Sequence, residues 1–264
     1  MNSFSHLLRA TLLILCFTSI LTGCFINIGS LDLVTGNGNV ITRERQLSAF
    51  TKIENSSFVD VEITTKSAQR VELTTDENIQ ENILMEVVDN TLRISTRPGT
   101  FNVTQARAKI SVQTLESLKN TGSGDASASP VEVPTFAAVV TGSGDLSLRG
   151  VNTQTMTASG SGSGNILLQG TVSQNMNLSL TGSGNATLQG TGNMGMLTTS
   201  GSGDISGQAF TLQRATVRTS GSGNIRISVV QTLDATASGS GDIIYYGNPT
   251  VTRTASGSGR ITRG

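Results

Sequence analysis

Apolar and polar residues alternate through the second half of the chain, on both sides of a recurring Gly-Ser-Gly corner. Four places before the first glycine the residue is apolar in six copies: Ala138, Ala158, Leu178, Leu197, Val217 and Ala235. Two places after the last glycine it is apolar as well: Leu146, Ile166, Ile205, Ile225, Ile243 and Ile261. Alternation with a period of two predicts short β-strands that bury one face.

The corner recurs at an even spacing. Its first glycines, from Gly122 to Gly257, are 20, 20, 20, 19, 20, 18 and 18 residues apart. A unit of this length cannot bury an apolar face alone, but stacked units can. The pattern therefore predicts an all-β, single-stranded parallel β-solenoid with about 18–20 residues per coil. An antiparallel sandwich is the competing architecture, but it does not explain why the same residue type recurs at the same corner. A second corner is marked by Gly150, Gly170, Gly190 and Gly247.

The segment before the repeats is more charged and less regular. Strand-like alternation appears in residues 59–63, 71–74, 91–95 and 108–112, and residues 77–85 are the one stretch that could form a helix. Thr75 or Asp76 would cap that helix. We assign residues 46–120 to the N-terminal part of the solenoid, its cap and first coils, and residues 121–264 to the repeat β-helix. Residues 24–45 are assigned to a tether.

The first 23 residues have the features of a signal peptide. Arg9 precedes an apolar run, residues 11–21, that is too short to span a bilayer. The run ends in Leu-Thr-Gly-Cys, which resembles a bacterial lipobox; an ordinary secretory signal is the alternative. The lipobox resemblance implies cleavage before Cys24 and attachment of lipid to that residue, which would anchor the chain to a membrane. Similarity to Gram-negative lipoproteins without Asp after the cysteine implies the outer membrane.

Removal of this leader would also remove two side chains that could take part in catalysis or bind a metal. The single histidine, His6, and the second cysteine, Cys16, both precede Cys24. The mature chain keeps 17 basic residues, 18 minus Arg9, against 18 acidic ones. Without a basic stripe, nucleic acid is not an expected partner. No cofactor is expected, and catalysis would have to depend on carboxylates. A GxGxxG match at residues 190–195 has no helix after it and belongs to the solenoid corners.

The residue that follows each Gly-Ser-Gly corner is polar. Stacked coils would place these residues in one column along the predicted solenoid, which we call the ladder. In chain order the ladder residues are Asp125, Asp145, Asn165, Asn185, Asp204, Asn224, Asp242 and Arg260. Short polar side chains bond backbone amides at tight turns, so we expect a structural turn ladder. The alternative is a cation site, for which the adjacent Asp125 and Asp145 are the candidates. The nonapeptide spacing of calcium solenoids is absent, and half the ladder is neutral or basic.

The coils resemble a known family. Their Gly-Ser-Gly-[Asp/Asn] corners, followed near the end by Tyr-Tyr-Gly-Asn-Pro at residues 245–249, are similar to the "putative auto-transporter adhesin, head GIN domain" family of bacterial surface proteins and lipoproteins. The resemblance covers about residues 46–264. It implies a right-handed parallel β-helix and an adhesin-like role, and it says more about the fold than about any activity.

These features favour a non-catalytic, lipid-anchored protein of the cell envelope, adhesin-like or scaffolding, with a surface glycan or protein as its ligand. The alternative is a polysaccharide-active enzyme or a carbohydrate-binding β-helix, because such enzymes use carboxylates gathered in a groove. A groove lined by three or more convergent carboxylates and arginines would favour the alternative. Tyr245 and Tyr246 are the aromatic candidates for stacking on a sugar.

Overall fold

Residues 33–264 are described by a computed structural model, and they form a parallel β-solenoid of about seven turns. The predicted fold class is thus confirmed. The predicted signal peptide, residues 1–23, and the predicted lipid attachment residue Cys24 lie outside the described residues. Between residues 33 and 264, no helix is long and apolar enough to cross a membrane.

The N-terminal region contains strands and a single short helix. Its strands are β1 (Leu33–Thr35), β2 (Val40–Glu44), β3 (Lys52–Asn55), β4 (Asp60–Thr64), β5 (Arg70–Asp76), β6 (Ile83–Val88), β7 (Thr91–Thr96), β8 (Thr100–Asn102) and β9 (Ala106–Ser111). A 3-10 helix, Glu77–Asn82, connects β5 to β6.

The repeat region continues with strands alone. They are β10 (Ser117–Asn120), β11 (Ala126–Ser129), β12 (Val131–Glu132), β13 (Thr135–Val140), β14 (Leu146–Arg149), β15 (Val151–Gly160), β16 (Ile166–Leu180), β17 (Ala186–Thr199), β18 (Ile205–Thr219), β19 (Ile225–Ala237), β20 (Ile243–Tyr246), β21 (Thr250–Ala255) and β22 (Ile261–Arg263). In the central coils one long strand replaces the two predicted short ones. In these coils the second corner is a bend within one continuous strand. In β16 the pairing with β17 shifts register at this bend, between Leu168 and Thr171.

Equivalent residues of successive coils lie directly above one another. Leu178 pairs with Leu197, which pairs with Val217 and then with Ala235, all in parallel register. The apolar positions of the alternating pattern point inward and are buried, and Phe136 and Phe210 are the largest of the fully buried side chains. Each coil therefore buries its apolar face against its neighbours, as a unit of about 20 residues must.

Antiparallel strands close the N-terminal end of the solenoid. One wall follows the order β2–β5–β9–β4–β11, and the other follows β6–β7–β3–β10. The outermost strands, β2 and β6, are antiparallel to their neighbours, whereas β3 and β4 are parallel to the coils that follow. The cap in this way covers the parallel edges of the first coils, which could otherwise pair with another molecule.

Two expectations for this region need correction. Residues 33–45, assigned to the tether from sequence, contain β1 and β2, and β2 pairs with β5 along its whole length. Residues 77–85 do not form one helix, because Ile83–Val88 finds backbone partners in β7 and becomes β6. Strand pairing across the cap outweighs the local helix propensity. Asp76 stands at the N-cap position but makes no capping hydrogen bond with its side chain.

Arginines cover the C-terminal end. Arg253 pairs with the inward-facing Ala235, and Arg263 pairs with the inward-facing Tyr245. Each of these two columns of stacked inward-facing residues therefore has an arginine at its C-terminal end. The Arg253 guanidinium lies 5.3 Å from the centre of the Tyr245 ring. Arg260 forms an ion pair with Asp242 at 3.1 Å. Charged side chains on and over a terminal strand disfavour pairing with another molecule.

We therefore expect Arg260→Asn combined with Arg263→Thr to leave the monomer folded but to make it self-associate. The lost ion pair is exposed and is worth at most about 1 kcal/mol, so the fold should survive. Light scattering across a concentration series measures the effect. Arg218→Thr is the control, because threonine occupies the same column in both neighbouring coils. A double variant that stays monomeric at high concentration would contradict this role.

Candidate functional site

The ladder residues are joined by one hydrogen bond per coil. From Asp125 to Asp242, the Oδ1 atom of each accepts from the backbone N–H of the next, at 2.7–2.9 Å. The ladder starts one coil earlier than the repeat indicates, because Asp60 accepts from the Asp125 N–H at 3.0 Å across 65 residues of sequence. The order Asp-apolar-polar-apolar at residues 60–63 matches residues 145–148, and this was the available sequence signal.

This ladder requires an acceptor but not a charge. The amide oxygens of Asn165, Asn185 and Asn224 accept the same backbone hydrogen bond as the carboxylates do. In the later coils each carboxylate also receives a side-chain donor, as when Asn224 donates to Asp204 at 3.1 Å. The first three members are all carboxylates, however: Asp60, Asp125 and Asp145. Carboxylates are therefore concentrated at one end of the ladder.

A groove lies beside these three carboxylates. It has a volume of about 450 Å³, and its lining residues are Asp60, Val61, Glu62, Arg107, Asp125, Ala126, Ser127, Asp145, Ser147 and Arg149. We call it the Asp–Arg groove. Ser127 and Ser147 are paired neighbours on β11 and β14, and both have short side chains. The arrangement meets the sequence criterion of convergent carboxylates and arginines.

The charges of the Asp–Arg groove come from different parts of the chain. Glu62 on β4 forms an ion pair with Arg107 on β9 at 3.3 Å. Arg149 ends β14 and pairs with Gln169 of the next coil, so the same column is neutral there. Among residues 33–264 no group of three or more His, Cys, Asp or Glu side chains has the arrangement of a metal site. Asp125 and Asp145 line this groove together.

The corner also contains a buried polar column that sequence reasoning missed. Asn120 donates to the Gly124 carbonyl at 2.8 Å, and Asn55 donates to the Val59 carbonyl at 2.9 Å. The hydroxyls of Thr199 and Thr219 likewise donate to the carbonyl four residues later in the chain, at 3.0 and 2.9 Å. All four side chains are buried, so these bonds satisfy carbonyls that water cannot reach. Their role is structural.

Two other candidates contribute little chemistry. Tyr245 is 4% exposed and packs under Arg253, so it offers no platform for a sugar. The GxGxxG match lies inside β17, a strand, and lacks the helix that a dinucleotide site requires. A shallow groove elsewhere is lined by Met194 and Met196, which are each 47% exposed. Its other lining residues are mainly threonine and asparagine.

Comparison with known proteins adds one family and several solved structures. A family model described as "Putative auto-transporter adhesin, head GIN domain" matches residues 49–178 and 172–249. No curated protein matches the sequence. The crystal structure of a "putative lipid binding protein" from Parabacteroides distasonis is 27% identical, with a TM-score of 0.82 over 88% of this chain and 100% of that one.

Two further structures share the fold. A "putative adhesin" from Parabacteroides merdae is 22% identical, with a TM-score of 0.83 over 88% of this chain and 99% of that one. A "putative adhesin" from Bacteroides fragilis is 23% identical, with a TM-score of 0.63 over 87% of this chain and 99% of that one.

Proposed function

The chain belongs to the "putative auto-transporter adhesin, head GIN domain" family, and from this premise we propose that it is a non-catalytic, adhesin-like protein of the cell envelope, anchored by lipid on Cys24. The family match and the solved relatives called adhesins support the adhesin-like role. The lipobox-like sequence before Cys24 supports the anchor. Such a protein would hold a rigid solenoid out from the outer membrane.

The observation that carries this proposal is the repetition of one polar surface. The serine between the two corner glycines is exposed in every copy: Ser123, Ser143, Ser163, Ser183, Ser202, Ser222, Ser240 and Ser258. Parallel stacking places these hydroxyls about 4.8 Å apart along the solenoid. A surface that presents the same group many times suits several weak contacts with an extended partner, and such contacts add up to firm adhesion.

A polysaccharide-active enzyme is the second candidate, because the Asp–Arg groove gathers carboxylates and arginines. A glycosidase needs one carboxyl group that carries a proton toward the glycosidic oxygen. In this groove Asp60, Asp125 and Asp145 each accept a hydrogen bond from a backbone N–H with one carboxylate oxygen. Glu62 is paired with Arg107. Each of these four carboxylates is thus already held by a donor of the protein, which supports binding rather than hydrolysis.

The anchor is tested by labelling cells with palmitate. We expect label in the wild-type protein and none in Cys24→Ser, because the thiol is the attachment point. Cys16→Ser is the matched control, since it removes a cysteine from the apolar run of the leader and should keep the label. Label that persists in Cys24→Ser would disprove the anchor.

Adhesion is tested with residues 25–264 in a binding screen of immobilised glycans and matrix proteins. We expect saturable binding to at least one of them. A protein that is folded by circular dichroism and binds none of them would contradict the adhesin-like role.

A further inference from the structure

We infer that the Asp–Arg groove is a binding site for an amino sugar unit of a glycan. This inference rests on the proposed adhesin-like function and names a ligand class for it. The groove brings together four carboxylates, two guanidinium groups and the Ser127 hydroxyl in about 450 Å³, a volume typical of sites for small molecules, with the Ser147 hydroxyl buried beside it.

The first argument is that the fold does not need these charges. Asparagine holds the ladder equally well in three later coils. Stacking three carboxylates at about 4.8 Å instead introduces like-charge repulsion between neighbours. Asp60 and Asp125 receive backbone hydrogen bonds but, among the described residues, no side-chain donor. Since folding would be served better by asparagine, the carboxylates at this end serve another purpose.

The second argument is the mixture of donors and acceptors. Carboxylates only accept hydrogen bonds, guanidinium groups only donate them, and serine hydroxyls do both. A sugar ring carries adjacent hydroxyls, each of which donates and accepts, so one ring can satisfy all three kinds of group. Four carboxylates and two arginines also leave a charge of −2 in the groove. An ammonium group on the ring would complement that excess.

The same mixture disfavours the competing ligands. A divalent cation would be repelled by Arg107 and Arg149, and the carboxylates lack the arrangement of a metal site within residues 33–264. A lysine-rich peptide would bring ammonium donors for the carboxylates, but its only acceptors for the two arginines are backbone carbonyls. An amino sugar provides both functions within one ring.

The test is calorimetric titration of the full-length chain in detergent and EDTA with a glucosamine hexasaccharide. Asp125→Asn and Arg149→Gln should each weaken binding by about tenfold or more, because each removes a charge-assisted hydrogen bond. Both replacements copy a residue that this chain carries at the same place in a later coil, Asn165 two coils beyond Asp125 and Gln169 one coil beyond Arg149, so the fold should be kept. Asp204→Asn is the matched control, since it lies on the same ladder outside the groove.

Two ligand comparisons complete the test. The N-acetylated hexasaccharide keeps the ring hydroxyls but loses the positive charges, and it should bind about tenfold more weakly. The inference is overturned if Asp204→Asn weakens binding as much as Asp125→Asn, or if EDTA abolishes binding. It is also overturned if hexalysine binds as tightly with the same dependence on Asp125. None of these results touches the adhesin-like function, which the screen of glycans and matrix proteins measures independently.

Discussion

Replacing Gly182 with alanine is expected to destabilise the solenoid by about 3 kcal/mol or more and to lower its melting temperature by about 6–12 °C. The Gly162 carbonyl, one coil earlier, accepts from the N–H groups of Ser183 and Gly184 at 3.1 and 3.2 Å. These bonds hold Gly182 against that carbonyl. An added Cβ would lie 2.1 Å from the Gly162 oxygen and 2.5 Å from the Ser161 oxygen. Both are backbone atoms, so neither can rotate away.

Two control variants separate this close approach from other effects of the corner. Ser183→Ala changes the exposed neighbour and should alter stability by less than about 0.5 kcal/mol. Gly150→Ala has room, with the nearest atom of Pro130 at 3.6 Å, but its φ of +62° disfavours a side chain and should cost about 1–2 kcal/mol. Thermal melting of the three variants gives the comparison. If Gly182→Ala melts together with Ser183→Ala, the coils can move apart and close approach does not explain the glycine.

Replacing Asp76 with alanine is expected to lower the melting temperature by about 5 °C or more, because its carboxylate joins three distant segments of the cap. The side chain is fully buried. It accepts from the Gly38 N–H at 2.8 Å, from the Thr104 N–H at 2.8 Å and from the Thr104 hydroxyl at 2.9 Å. Alanine would remove all three hydrogen bonds, and with them the contacts that hold Gly38 and Thr104 to β5. Asp234→Ala, at an exposed position, is the control.

The contribution of Asp76 should also depend on pH. Burial raises the pKa of the Asp76 carboxyl, but the hydrogen bonds from Thr104 and Gly38 outweigh burial and hold that pKa below its usual range. A carboxyl with a lower pKa in the folded state stabilises the fold fully above its unfolded pKa, which is about 3.9. That stabilisation is lost as the pH falls through the folded value. We therefore expect the melting temperatures of wild type and Asp76→Ala to differ most at pH 7, and the difference to shrink progressively as the pH falls below about 4. A difference that stays constant down to pH 3 would contradict this assignment.

Much of the solenoid could be predicted from sequence because its information is local and repeated. Alternation with a period of two identifies the buried face, and a coil length near 20 residues identifies which residues stack. Leu178 and Leu197 are an example: their equivalent places beside the corner predict the parallel pair that forms. The ladder from Asp125 to Arg260 follows from the same arithmetic, since each member lies at the same place in its own coil.

The N-terminal cap could not be predicted in this way, because its strands pair across long and unequal stretches of sequence. Gly36-Asn37-Gly38-Asn39 looks like a weaker copy of the corner, yet it wraps around Asp76. An added Cβ at Gly36 would lie 2.4 Å from that carboxyl group. No local pattern links residues 36–39 to Asp76 and Thr104, which come together only when both β2 and β9 pair with β5.

The sequence by itself determined the coil, its buried face and the residues of the ladder, because each depends on neighbours at a constant spacing. Only the tertiary structure decided that Asp60 continues the ladder and that Glu62, Arg107 and Arg149 meet beside it. The physical reason is the excursion of 65 residues between Asp60 and Asp125, within which β9 returns to lie against β4. Because β9 returns in this way, the residues that line the groove are not evenly spaced in the sequence. Their charges become neighbours only in the folded chain.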